Sequence, residues 1–199
     1  NSIADTRDRF ILQGTVAYDL TDWLTASLRS GSDIFRFNID QRFDGAFLNG
    51  SFVNPSYEGG FNFVNDYRNE HNTELMLRAD RRVTPAIQVN AMLAGSVRRE
   101  YFSTTSTQTT GLSVENIYNV SNAAITPTLG QFVARRNMNS VYGSAAATFN
   151  GWWTVEVTGR NDISSTLPRG EHSNFYPSVN TALVLSVALP GLNNQWLSL

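Results

Sequence analysis

The sequence predicts an all-β fold: an antiparallel transmembrane β-barrel segment of about seven strands with short periplasmic turns and long extracellular loops. Three observations support this class. Seven segments alternate apolar and polar side chains with period two, as half-buried strands do. Very short links, at 21–23, 84–86 and 150–152, alternate with long ones, at 39–66, 103–135 and 163–174. Aromatic residues gather near the segment ends, where outer-membrane barrels carry interfacial girdles.

The seven segments run over 10–20, 24–33, 74–80, 87–98, 140–149, 153–160 and 178–187. In each, apolar side chains recur at every second position and polar ones fill the positions between them. The apolar faces include, in chain order, Phe10 and Leu12, Leu24 and Leu28, Leu75 and Leu77, Ile87 and Leu93, Val141 and Phe149, Trp153 and Val157, and Val179, Leu183 and Val187. Several segments reach about ten residues, the length that a tilted membrane strand needs.

The three short links provide a test of the pairing. A three-residue link pairs the residues on either side of it, so these two residues must share a face. This holds for Leu20 and Leu24, for Val83 and Ile87, and for Phe149 and Trp153. The Thr-Pro pair in the second link and the Asn-Gly pair in the third suit tight turns. The sequence therefore predicts three hairpins, each with one continuous apolar face.

Charged residues within the strand centres fall on the polar face. An arginine facing lipid at mid-membrane costs about 2–4 kcal/mol, so a barrel requires this segregation. A soluble β-sandwich requires it as well, because its apolar faces form the core. A soluble carbohydrate-binding β-sandwich, and a porin or adhesin that works without TonB, are therefore retained as alternatives. In a barrel, the possible lumen-lining residues are Arg29, Asp33, Glu74, Arg78, Arg98, Glu156 and Arg160.

The first long connection, 39–66, interleaves aromatic residues with glycine and asparagine. Such a loop can fold on itself or offer stacking surfaces. Its possible contacts with a ligand or a lid are Phe43, Phe47, Phe52, Tyr57 and Phe61. The run Ser103–Thr110 is polar and low in complexity, and it predicts a solvated excursion.

Composition and motifs exclude several functions. A net charge of −2 without a basic stripe argues against a nucleic-acid partner. The chain has no cysteine, and its two histidines, His71 and His172, do not follow a metal-ligand spacing. Nucleophile elbows, phosphate-binding loops and dinucleotide fingerprints are absent from the sequence. We expect no catalytic residue, no cofactor, no metal site and no enzyme activity.

Several motifs together resemble one family. They are Asn139-Ser140-Val141-Tyr142-Gly143, then Arg160-Asn161-Asp162 with Ser164-Ser165-Thr166-Leu167-Pro168, then Phe175-Tyr176-Pro177-Ser178-Val179, with Thr21-Asp22-Trp23-Leu24 and Tyr118-Asn119-Val120-Ser121-Asn122 earlier in the chain. In this order they resemble the barrel of SusC/RagA-like TonB-dependent transporters of the Bacteroidetes outer membrane. Ile163 departs from the pattern, since the family commonly has an aromatic residue there.

The resemblance implies a larger protein, a barrel of about twenty-two strands with an N-terminal plug. Residues 1–199 would be a partial TonB-dependent receptor β-barrel, an internal piece without the plug or a signal peptide. The whole protein would reside in the cell outer membrane and import oligosaccharides, glycans or peptides. Its implied partners are a SusD-like surface lipoprotein, the TonB system acting through the missing N-terminal part, the substrate, and outer-membrane lipid.

Overall fold

The structure, a computed structural model, describes residues 1–43, 47–48, 51–52, 59–168 and 170–189, and for 47–48 and 51–52 only the backbone. Seven long strands form one sheet in the order β1-β2-β5-β6-β7-β8-β9, and β3 pairs with β4. The bounds are β1 Ser2–Thr21, β2 Leu24–Phe43, β3 Phe47–Leu48, β4 Ser51–Phe52, β5 Gly60–Thr84, β6 Ile87–Thr109, β7 Thr128–Phe149, β8 Trp153–Ser164 and β9 Ser173–Leu183. The predicted all-β, antiparallel class with seven long strands is confirmed.

Residues cluster into two compact units, which we describe separately. The first, called the loop unit, comprises Asn1–Leu12, Ser32–His71 and Glu100–Arg135. The second, called the turn unit, comprises Gln13–Gly31, Asn72–Arg99 and Arg136–Leu199. The short turns all belong to the turn unit, whereas the connections after β2 and β6 belong to the loop unit.

The tight turns of the turn unit lie where the sequence predicts them. They occupy residues 22–23, 85–86 and 150–152. Phe149 is directly opposite Trp153, as the parity of the third link requires. Asn150 and Gly151 have φ angles of 48° and 74°, the left-handed conformation that asparagine and glycine tolerate best. Residue choice at this turn therefore fixes the register of the β7–β8 hairpin.

One face of the sheet in the turn unit is apolar and exposed. Val157 is opposite Ala145 on β7 and Val179 on β9. Val157 is 52% exposed and Val179 is 72% exposed. Contiguous exposed apolar surface marks a face that meets another protein or a membrane. We call this the apolar face and the opposite one, which carries Glu156, the polar face.

Strands in the loop unit extend into two of the three regions that the sequence assigns to long loops, 39–66 and 103–135. The prediction of a solvated excursion at Ser103–Thr110 is wrong, because Ser103–Thr109 is the end of β6. Thr109 is 2% exposed, and its hydroxyl donates to the Gly111 carbonyl oxygen at 3.2 Å. Threonine and serine residues adopt extended backbone here and continue the hydrogen-bonded pairing of β6, although they lack the alternation of apolar and polar side chains that indicates a strand. Strand also replaces loop over 39–43, 60–66 and 128–135.

The last predicted strand begins and ends earlier in the chain than expected. The pattern over 178–187 predicts a strand up to Val187, but β9 ends at Leu183, and Leu185–Ala188 forms one helical turn. Leu183 is opposite Trp153, the first residue of β8. The next amide, at Val184, donates to the Trp152 carbonyl at 2.7 Å, and β8 offers no further partner beyond it. The backbone therefore satisfies its hydrogen bonds locally. Among the described residues, no helix is long and apolar enough to cross a membrane.

Candidate functional site

A row of polar side chains crosses the polar face of the turn unit at one level. The hydroxyl groups of Ser30 on β2 and Thr73 on β5 lie 3.1 Å apart, so these two residues are opposite each other. Arg29 and Glu74, the next pair along the two antiparallel strands, are then opposite each other as well. Asn150 donates its backbone N–H to the Ala86 carbonyl at 2.7 Å. Because the strands are antiparallel, eight residues back along β7 from Asn150 correspond to eight residues forward along β6 from Ala86, which places Tyr142 opposite Ala94. Arg160 is opposite both Tyr142 on β7 and Tyr176 on β9. The row thus runs Arg29, Glu74, Ala94, Tyr142, Arg160 and Tyr176.

Tyr142 connects two strands that are not neighbours. Its phenolic hydroxyl donates to a carboxylate oxygen of Glu74, although β6 lies between β7 and β5. Two interstrand spacings amount to about 9–10 Å, so the tyrosine ring must extend across β6. The residue at that level of β6 is Ala94, which is only 2% exposed. A small side chain at position 94 therefore leaves room for the hydrogen bond.

Arg160 continues the row on the other side of Tyr142. Its guanidinium lies 5.0 Å from the centre of the Tyr142 ring, within the range of a cation–π contact. Its Nε donates to both carboxylate oxygens of Asp162, at 2.8 and 3.0 Å. One terminal nitrogen donates to Ser140 Oγ at 3.2 Å, and Ser140 is 3% exposed. Four contacts hold this arginine in one geometry. We call Glu74, Tyr142, Arg160, Asp162 and Ser140 the polar network.

The structure places the seven predicted lumen-lining residues as follows. Glu74 and Arg160 belong to the polar network, and Arg29 belongs to its row. Glu156 accepts a hydrogen bond from Asn180 Nδ2 at 3.4 Å. Asp33, in the loop unit, accepts from Arg9 Nε at 2.9 Å and from a terminal nitrogen at 2.5 Å. By strand parity, Arg78 shares the face of Glu74 and Arg98 shares that of Ala94. Their role at a lumen stays a prediction.

The predicted loop aromatics separate into different surroundings. Phe43 is the last residue of β2 and is half-buried. Phe61 lies in β5, is fully buried, and stacks on Phe63 with ring centres 4.4 Å apart. In this structure Phe61 therefore packs in the interior and exposes no ring. Phe47 and Phe52 are directly opposite each other in the β3–β4 pair, and their side chains lie outside the described part, as does all of Tyr57.

An aromatic pair in the loop unit was missed in the sequence. The Phe102 and Phe132 rings lie 6.0 Å apart, and the Arg68 guanidinium lies 5.0 Å from the Phe102 ring. Phe132 is 56% exposed. Phe132 falls within the stretch 103–135 that the sequence assigns to a loop, and Phe102 directly precedes it, so their common face became visible only with the register of β6 and β7.

Arg42, near the end of β2, contacts the connection that follows β6. It donates from Nε to Asp40 Oδ1 at 3.0 Å and from a terminal nitrogen to Oδ2 at 2.6 Å. These hydrogen bonds, with the charge of Asp40, raise the pKa of Arg42 above its ordinary value. The guanidinium also lies 5.4 Å from the Tyr118 ring. Arg42 thus stays cationic and fixes an aromatic side chain of the loop.

The polar network has the chemistry of a binding surface. It presents carboxylates, a guanidinium and hydroxyls at fixed positions, a combination that suits hydrogen bonding to polar solutes. Among the described residues, no group of three or more histidine, aspartate or glutamate side chains is placed to hold a metal ion.

Solved structures show the same architecture. A chain of the RagAB peptide transporter matches 93% of this chain at 13% identity, with a TM-score of 0.84. The RagAB peptide importer in its closed-closed state matches 97% at 12% identity with a TM-score of 0.85, and in its open-open state 90% at 13% identity with a TM-score of 0.78. The chain folds like one section of a transporter barrel. No protein-family profile matches it, and no curated protein does.

The match concerns only part of those proteins. This chain spans about a fifth of their length, with 20% of the first solved chain covered and 21% of the second. At 12–13% identity the likeness shows the fold alone. It supports an antiparallel sheet of the kind found in a barrel wall.

Proposed function

We propose that this chain forms part of the wall and extracellular loops of a TonB-dependent importer in the outer membrane, which takes up peptides or oligosaccharides and other glycans. One observation carries the proposal: the sheet has the fold of a section of a solved transporter barrel over 93% of its length, at a TM-score of 0.84. The motifs that resemble SusC/RagA-like transporters support the same family independently of the fold.

The two faces of the turn unit suit this role. Val157 and Val179 on the exposed apolar face would meet lipid, where apolar side chains cost nothing to expose. The polar network would line the lumen, with Glu74 and Arg160 as wall residues in contact with the plug or the substrate. In this proposal the segment has no catalytic residue and holds no cofactor.

The implied partners follow from the same reasoning. A SusD-like lipoprotein would meet the long connections, and the TonB system would act through a part of the protein outside this chain. The solved neighbours are a peptide transporter, which supports a peptide as the substrate. The motif resemblance is equally compatible with a glycan, so the substrate classes are tested against each other.

The test uses the complete gene in its own bacterium. We expect its in-frame deletion to abolish growth on either peptides or an oligosaccharide as the only carbon source, and we expect loss of TonB to give the same defect. The full-length protein should be found in the outer-membrane fraction and should migrate anomalously on a gel when unheated. Recovery in the soluble fraction with ordinary migration would refute the barrel assignment.

The retained alternatives differ in measurable ways. Uptake that continues without TonB would favour a porin, and normal growth combined with a loss of surface attachment would favour an adhesin. The soluble sandwich is not favoured, because β2, β5, β6 and β7 are 20, 25, 23 and 22 residues long within a single sheet. Strands in globular proteins are usually about 3–10 residues long.

A further inference from the structure

Phenylalanine rings and an arginine form a series of contacts within the loop unit. Phe35 and Phe37 are stacked on β2, with ring centres 6.4 Å apart. The Arg68 guanidinium on β5 lies 5.0 Å from the Phe102 ring on β6, and that ring lies 6.0 Å from the Phe132 ring on β7. Because their side chains are in contact, the last three residues share one face of their strands.

The register of β2 against β5 joins these two groups of rings. Asn62 Nδ2 donates to Gln41 Oε1 at 2.9 Å, so these two residues are opposite each other. Four residues back along β2 correspond to four residues forward along β5, which places Phe37 opposite Asp66. Two residues further on, Arg68 lies opposite the other ring of the stacked pair. We call the surface formed by Asp66, Arg68 and the four phenylalanines the phenylalanine face.

Asp66 and Arg68 are the unpaired charges of this face in the described part of the chain. Arg68 is exposed and Asp66 is half-buried. Among the described residues, neither the Asp66 carboxylate nor the Arg68 guanidinium has a hydrogen bond or an ion pair. Two residues of a strand are about 7 Å apart along its axis, so the two charges stand at separate points of one surface.

The remaining charged side chains of this parity on the strands of the loop unit have partners. They are Asp5, Arg7, Arg9, Asp33, Glu70 and Glu100. Arg7 pairs with Asp5 at 3.0 Å, and Arg9 donates to both carboxylate oxygens of Asp33, at 2.9 and 2.5 Å. Glu70 and Glu100 each make an interaction of their own. With three arginines against five carboxylates, the face does not suit a simple anion. It suits a ligand that carries both signs of charge.

The chemistry of the face fits the two ends of a short peptide. An ammonium group is attracted both to a carboxylate and to the faces of aromatic rings, and arginine binds a carboxylate with paired N–H donors. Phenylalanine rings also offer apolar surface to uncharged side chains. A peptide of two or three residues spans about 7–11 Å, which matches the separation of the two charges. A neutral oligosaccharide has neither charged group.

We propose that the phenylalanine face binds a short peptide by its free ends, with Asp66 holding the terminal ammonium group and Arg68 the terminal carboxylate. The phenylalanine rings pack against the apolar side chains of the peptide. The site rests on the proposed importer and assigns peptides, in preference to neutral glycans, as the solute that it captures.

The test measures binding of the tripeptide trileucine to the full-length detergent-solubilised protein by calorimetry. Asp66→Asn and Arg68→Gln each remove one charge with little change of shape. Asp8→Asn and Arg36→Gln are the matched controls. They remove the same groups from β1 and β2 of the loop unit, at positions of the opposite parity, whose side chains point to the other side of these strands. We expect each site variant to weaken binding about tenfold and each control to leave it within about twofold.

Modified peptides identify which end each residue binds. N-acetylated trileucine should bind the wild-type protein about tenfold more weakly than trileucine does, with no further loss in the Asp66→Asn variant. C-amidated trileucine should behave in the same way with Arg68→Gln. Maltotriose, a neutral oligosaccharide, should not displace the peptide.

Several results would overturn the proposal. They are failure of the wild-type protein to bind trileucine, equal losses in the site and control variants, additive losses from acetylation and Asp66→Asn, and displacement by maltotriose. The importer is assessed separately, by outer-membrane location and TonB-dependent growth. Such growth on an oligosaccharide, without trileucine binding, would refute this site and leave the importer standing.

Discussion

Substitution of Gly143 by alanine should destabilise the pairing of β6 with β7. A Cβ atom added at this position would lie 2.7 Å from the Met92 carbonyl oxygen and 3.6 Å from Leu93 Cδ1. The first contact is with the backbone, which cannot rotate away, so the two strands must move apart locally. Overpacking of this kind typically lowers the free energy of unfolding by about 1–3 kcal/mol. This corresponds to a loss of about 5- to 150-fold in the folding equilibrium constant.

The assay is denaturant unfolding of the full-length protein in detergent, followed by its anomalous migration on unheated gels. Gly95→Ala is the matched control, because its Cβ would lie 3.9 Å from the Ser140 carbonyl oxygen, an ordinary contact, in the middle of β6. We expect that control to be neutral or to stabilise the protein by up to about 1 kcal/mol, since glycine is unfavourable within a strand. Equal stability of the Gly143 and Gly95 variants would refute the argument from close approach.

Two further predictions use the same unfolding measurement. Tyr142→Phe and Glu74→Ala should each destabilise the protein, and the double variant should lose less than the sum, with a coupling of about 1–3 kcal/mol, because each change removes one partner of the same charge-assisted hydrogen bond across β6; additive losses would show that this bond contributes nothing. Gly151→Ala should cost about 1–2 kcal/mol, because residue 151 has a φ of 74°, and Gly151→Asn should cost clearly less; equal losses for the two would contradict the conformational explanation.

The sequence predicts best where strands are joined by tight turns. Period-two alternation identifies a part of each of the seven long strands, and parity across Asn150 and Gly151 predicts the observed pairing of Phe149 with Trp153. These features depend on residues that are close in sequence, so local patterns determine them. The extension of β6 over Ser103–Thr109 was missed because both of its faces are polar. The β-branched threonines were the available signal, since threonine favours extended backbone.

The polar network was predicted only in part. Strand parity places Glu74 and Arg160 on one face, but it cannot show which of them share a level, because the register of β6 against β7 is set across a long connection. Tyr142 was identified as a polar-face strand residue and as a member of a family motif, and Ala94 was not singled out. Their joint role, a ring that extends over a small residue to reach Glu74, depends on three strands at once.

The length of the strands has a consequence for how a solute would be bound. A tilted strand crosses the hydrocarbon layer in about 9–11 residues, whereas β5 has 25 and β6 has 23. In a membrane, more than half of each would stand in water, still hydrogen-bonded to its neighbours. Surfaces such as the pair of Phe102 and Phe132 would then lie on hydrogen-bonded strands that are already ordered before a ligand binds. Because little conformational entropy remains to be lost on binding, a weak set of contacts can suffice for capture.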